Sequence, residues 1–266
     1  MADPFQNVDA AGAEFIKIFA DAMDPRQDDP TMEQIVANYL SALARENPEK
    51  VIEIGAGAGA VSRRIATQLP EAQVTGYEPS QGFVSEAQAR AQGIANLTFA
   101  CADGTDLPAQ DASIDAAILH TVLTHVTDPA ALITEAARTL KPGGKLVICD
   151  ADFSKSTFSG FAADPLDACA KAFQTGFVTD PFLTAKLKTL VANAGLTRDS
   201  FTITSRVTAD TDGMRPWVLM TTKNMVEAGE IGQPLADALL AEYDRRRDAG
   251  TLYGYQAFVT LIATKP

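Results

Sequence analysis

Apolar positions along this chain change period repeatedly, and each change marks an element. Val51, Ile52 and Ile54 form a short apolar run, the pattern of a buried strand; Val61, Ile65 and Leu69 then recur at helical spacing, with Arg63 and Arg64 turned outward. The alternation continues, with strands predicted over residues 73–77, 97–101, 114–119 and 145–149. Upstream, residues 9–22 read as an amphipathic helix with Phe15, Ile16 and Phe19 on one face. Asp24-Pro-Arg-Gln-Asp-Asp-Pro30 reads as a polar break, and Thr31-Met-Glu-Gln34 as a capping box opening a helix through Leu43. Downstream, helices are predicted over 165–175 and 181–194, the second closed by Gly195. Alternating Phe201-Thr-Ile-Thr-Ser-Arg-Val207 reads as a sixth strand and 255–263 as a seventh, with helices over 217–228 and 235–247 between them. Strands alternating with helices predict an α/β fold.

The first strand runs into Gly55, Gly57 and Gly59 and then a helix. Such a turn needs backbone angles and a close approach that a Cβ forbids, and the helix after it offers free N–H groups to a ligand. Gly55, Gly57 and Ala60 also fit the dinucleotide fingerprint, so NAD stays open at this point. Glu53 argues against it, because a carboxylate repels a diphosphate and suits a cationic amine or a ribose. The second strand ends in Glu78, where an acid can accept both ribose hydroxyls. The third ends in Asp103, which offers a carboxylate to an adenine amine, and the fourth in His120.

In order, Glu53-Ile-Gly-Ala-Gly-Ala-Gly59, Glu78, Ala102-Asp103 and Leu140-Lys-Pro-Gly-Gly144 resemble the successive motifs of the class I S-adenosylmethionine-dependent methyltransferases over residues 45–150. His125-Val-Thr-Asp-Pro129 is similar to a stretch in the branch of the ubiquinone and menaquinone biosynthesis enzymes and many small-molecule methyltransferases. The resemblance implies a Rossmann-like, seven-stranded, mostly parallel sheet whose last strand is antiparallel and inserted between the fifth and sixth. It also implies S-adenosylmethionine as cofactor, S-adenosylhomocysteine as product and no metal. Gly55, Gly57 and Gly59 would cradle the methionine part, Glu78 the ribose and Asp103 the adenine, with Phe83 flanking the purine and the backbone of His120 under the cofactor. Glu53, Ala56, Pro79, Ser80, Ala102 and Gly104 complete the expected cofactor set.

Chemistry is expected at the carboxyl ends of the central strands. His125 is the candidate general base, and Asp150 its orienting partner or a direct substrate contact; Asp152 and Trp217 are candidate substrate contacts. No His-x-x-x-His or comparable metal constellation is complete. The favoured activity is O-methylation of a small, partly apolar metabolite. N- or C-methylation, an NAD-dependent oxidoreductase and a non-methylating protein that keeps the cofactor site are the alternatives.

Composition narrows the partners. A net charge of −12 over 266 residues disfavours nucleic acid, and no apolar run has the length to span a bilayer, so a small-molecule acceptor and a cytoplasmic location are expected, and a homodimer is compatible. Cys101, Cys149 and Cys169 suggest neither a disulfide framework nor a zinc site; Cys101 and Cys149 fall on strands expected to be buried. The domain reading is an N-terminal helical cover (1–44), a cofactor-binding core (45–208), a helical lid insertion (209–250) and the last core strand (251–266).

Overall fold

In a computed structural model describing residues 3–209 and 212–266, seven strands form one sheet. They are β1 (Lys50–Ile54), β2 (Gln73–Glu78), β3 (Leu97–Cys101), β4 (Ile114–His120), β5 (Leu140–Thr157), β6 (Thr197–Thr208) and β7 (Gly254–Thr264), in the spatial order β3-β2-β1-β4-β5-β7-β6. The first five are parallel, and β7 runs antiparallel to both β5 and β6. Positions 210 and 211 of the expected lid lie outside the described residues.

Ten helices are described: α1 (Val8–Ala11), α2 (Ala13–Gln27), α3 (Pro30–Ala44), α4 (Ala60–Gln68), α5 (Gln81–Arg90), α6 (Pro129–Thr139), α7 (Asp167–Gly176), α8 (Leu187–Asn193), α9 (Arg215–Glu227) and α10 (Gln233–Asp248). Strand parity sorts the core onto the two faces of the sheet. Val51, Ala116, Ile118, Val147 and Cys149 pack under α3 and α4, while Ile52, Ile54, Ala117, Leu119 and Ile148 pack under α6 and α8. Both faces are covered, as a mostly parallel sheet requires. Among the described residues no helix is long and apolar enough to cross a membrane.

The N-terminal helices depart from the sequence reading. α2 continues through Asp24 and Pro25 to Gln27, because Asp24 of the expected break is an ion partner of Arg63 of α4 and of Arg90 of α5 at 3.1 Å; Asp21, one turn earlier, pairs with Arg90 at 2.6 Å. The cap of α3 is Asp29, whose Oδ1 accepts from the N–H groups of Thr31 and Met32, with Pro30 in the first helical position. Cys101 is exposed, since β3 is an edge strand, whereas Cys149 is buried. Between β6 and β7, α9 and α10 fill the long connection. Arg246 of α10 is anchored at 2.6 Å to Asp164, a fully enclosed carboxylate in the loop after β5.

Candidate functional site

β1 lies between β2 and β4, so the chain leaves its carboxyl end in opposite directions and a crevice opens there. A cavity of about 560 Å³ occupies that crevice. Its floor is the glycine turn. Gly55 and Gly57 adopt left-handed φ values of 76° and 53°, and Gly57 N–H donates to Glu78 Oε2 at 2.9 Å. Gly59 has a different task. It precedes α4 at φ 75°, and a Cβ there would stand 2.5 Å from the Phe99 ring, so packing against β3 excludes a side chain.

Two carboxylates are pressed into this floor. Glu53 is 1% exposed and accepts from Ser62 Oγ, and burial pushes its carboxyl up to about 8. Burial likewise raises Glu78 to about 6, opposed by the N–H groups of Ser80 and Gly57. Asp103 and Gly104 lie beyond them on the cavity wall. Asp103 Oδ1 is occupied by the N–H and hydroxyl of Thr105, each at 2.8 Å, so its second oxygen is the one a ligand would meet.

Both histidines reach the cavity, in contrasting settings. His120 ends β4 on the α3 face, with Tyr39 Oη 3.1 Å from its Nδ1 and a buried Nε2 that has no partner among the described residues. Burial lowers it to about 3, so the ring is neutral. His125 sits in the short 3-10 turn Leu123–His125, its Nδ1 3.0 Å from Asp3 Oδ2. Asp3 also accepts from Thr179 Oγ1 and from Phe5 N–H, so three donors fix its carboxylate. Phe5 and Phe153 flank the imidazole at 4.6 and 5.8 Å, and Phe153 leads to Trp217, which stacks on Phe173 at 4.1 Å. The result is an aromatic wall beside a ring whose orientation is set by an acid.

Glu53, Gly55, Ala56, Gly57, Glu78 and Pro79 of the expected set line the cavity, as do Phe83, Asp103, Gly104, His120, His125 and Trp217. Asp150 and Asp152 do not, which corrects the expected roles. On β5, Ala151 and Phe153 face the cavity, and the twofold parity of the strand turns 150 and 152 to the other side. Asp150 there braces the turn after β4, accepting from Leu123 N–H, Thr124 N–H and Oγ1, and Ala151 N–H; it makes no hydrogen bond to His125. Asp152 accepts from Ser154 at 2.5 Å. Ser80 caps α5 and donates to Asp9 at 2.7 Å, and neither it nor Ala102 reaches the cavity.

Asp3, Arg26, Thr121, Arg206 and Gln256 were not anticipated, yet Asp3 orients His125 and the other four line the cavity. A signal existed for Arg206 alone, near the carboxyl end of a predicted strand. Thr121 holds a left-handed φ of 55° directly after His120, and its hydroxyl accepts from Arg26 at 3.1 Å. Among the described residues no group of three or more His, Cys, Asp or Glu side chains is arranged to hold a metal.

Residues 52–148 match the family described as Methyltransferase domain. The malonyl-[acyl-carrier protein] O-methyltransferase of Hahella chejuensis is 34% identical over 128 residues, covering 48% of this chain and 45% of the relative. The demethylmenaquinone methyltransferase of Tropheryma whipplei is 38% identical over 102 residues, covering 38% of this chain and 41% of the relative. The chain thus spans less than half the length of these two relatives. Among solved structures, a [4+2]-cyclase superposes with a TM-score of 0.53 at 20% identity over 86% of this chain and 80% of that one, a likeness of fold alone.

Proposed function

We propose that the chain, whose residues 52–148 match a methyltransferase family, is a class I S-adenosylmethionine-dependent enzyme that transfers a methyl group from S-adenosylmethionine to an oxygen of a small, partly apolar metabolite. The observation that carries this is the shared cavity, where the glycine turn and the acids Glu53, Glu78 and Asp103 meet an acid-oriented histidine and an aromatic wall. The fit to the cofactor rests on the bare backbone of Gly55 and Gly57, the strand-end acid Glu78 at the ribose and the second oxygen of Asp103 at the adenine.

When bound, the cofactor supplies an electrophilic methyl on a sulfonium sulfur. The chain supplies alignment and a proton acceptor. With Nδ1 facing the Asp3 carboxylate, the favoured tautomer of His125 carries its proton there, and Nε2 keeps a lone pair to take a hydroxyl proton as the oxygen attacks. Phe153, Phe173 and Trp217 hold the apolar body and keep water out. The helices before β1 and those between β6 and β7 act as covers, since α2 brings Met23 and Arg26 to the cavity and α9 brings Trp217. An oxygen acceptor is in keeping with the name of the Hahella relative.

Calorimetry tests the assignment: S-adenosylmethionine and S-adenosylhomocysteine bind, and NADH does not. Binding of NADH without either sulfur compound would overturn it. Affinity also follows Glu78. Above about 6 its carboxylate is charged and accepts ribose hydroxyls, and below that value it protonates and loses acceptor capacity. Cofactor affinity should therefore weaken as pH falls through 6, and Glu78→Gln should flatten that dependence. A wild-type affinity constant from pH 8 to 5 would remove Glu78 from the site.

A further inference from the structure

Two arginines stand in the cavity wall beside the aromatic side chains. Arg206, on β6, is 2% exposed, and Arg26, on α2, is half-buried; both line the cavity. The Nε atoms of both find no hydrogen-bond acceptor among the described residues, and neither does His120 Nε2. Arg206 Nε lies 2.9 Å from Asp29 Oδ2 but is not aligned for a hydrogen bond, and Asp29 already spends Oδ1 on capping α3. In the tautomer in which Tyr39 donates to Nδ1, His120 Nε2 also carries a proton. Three side chains of the cavity wall therefore each keep a buried donor without an acceptor among the described residues, an arrangement that costs free energy.

Burial, and after it repulsion from Arg206, lower Arg26 to about 10, although Cys149, Asp150 and Glu53 draw it the other way. Asp29 offsets the charge of Arg206. Glu53 is held largely neutral near pH 7 by burial, while Asp150 favours the charged form of Arg26 from across the sheet. S-adenosylmethionine brings one carboxylate, accompanied by an ammonium and a sulfonium. The acceptor is the other source of an anion.

We propose that the acceptor carries a carboxylate and that Arg206 and Arg26 bind it, with His120 Nε2 and Gln256 beside them on the cavity wall. The proposal rests on the methyltransferase reading and names the substrate class within it: an apolar or aromatic acid, its body along Phe153, Phe173 and Trp217 and its carboxylate on the arginines. Guanidinium forks suit a carboxylate because they bind both oxygens at once.

Matched acids and amides test it by calorimetry on the full chain saturated with S-adenosylhomocysteine. The probes are benzoate, cinnamate and octanoate against benzamide, cinnamamide and octanamide. At least one acid should bind about tenfold or more tighter than its amide, and Arg206→Gln should bring that ratio to about one while S-adenosylhomocysteine still binds. Arg206→Lys, which keeps the charge, should retain part of the preference and covers the case in which the glutamine variant fails to fold. Equal binding of acid and amide in all three pairs overturns the proposal, as does a preference that survives Arg206→Gln. For Arg26→Gln, the expected result is a reduced acid preference with S-adenosylhomocysteine affinity within about threefold of wild type. Loss of that affinity with the preference intact would assign Arg26 to the cofactor's own carboxylate and overturn the paired anchor. Failure of the wild type to bind S-adenosylhomocysteine is a separate result that removes the methyltransferase reading itself.

Discussion

Replacing Gly57 by valine should raise the dissociation constant for S-adenosylmethionine by about 100-fold or more while the protein keeps a cooperative melting transition. Gly57 lines the cavity at φ 53°, and a β-branched residue pays about 1–3 kcal/mol to hold that angle. Inside the fold an added Cβ meets only the tip of Met23, at 2.8 Å from Cε and 3.0 Å from Sδ, which a flexible side chain can yield. Toward the cavity the new methyl groups have nowhere to go but the ligand's space, and the N–H that holds Glu78 is displaced with them. Calorimetry and a thermal melt on the same sample separate the two effects. Normal binding by the variant would mean that the glycines serve only the turn.

His125→Ala should lower kcat by about 10² to 10⁴, the span typical of a lost general base, with S-adenosylmethionine affinity nearly unchanged. Asp3→Asn should lower kcat by less and leave cofactor affinity alone, because it removes the acceptor that fixes the ring while sparing the ring itself. Equal turnover in wild type and His125→Ala would mean that alignment alone suffices, and would favour an amine or carbanion acceptor over a hydroxyl.

The core was legible because its signals are local. A buried strand followed by three glycines, acids at successive strand ends and a Pro-Gly-Gly turn are each a few residues long, and β1 through β4 formed where these signals lay. β6 and β7 were also found by alternation, though both extend beyond the predicted limits. What failed depended on partners far away in sequence. The stretch 24–30 read as a break, yet Asp24 is neutralised by Arg63 and Arg90 from across the fold. Asp150 looked well placed because it follows a central strand, but strand parity decides which face a residue serves, and the parity of β5 favoured 151 and 153. Asp3 carried no signal, since its partner His125 stands 122 positions away.

The placement of β7 has a consequence for how a ribosome-bound chain acquires its two binding functions. Among the described residues β6 pairs with β7 alone, and β7 follows the other six strands in the chain. The glycine turn and the strand ends around it depend on β1, β2 and β4, all complete long before, so that side of the crevice can order first. Until β7 arrives, β5 presents an unpaired edge of the kind that recruits other chains, and Arg206 has no sheet to stand in. The two sides of the crevice therefore mature in sequence, and the side that carries Arg206, being later, is the one more exposed to aggregation during synthesis.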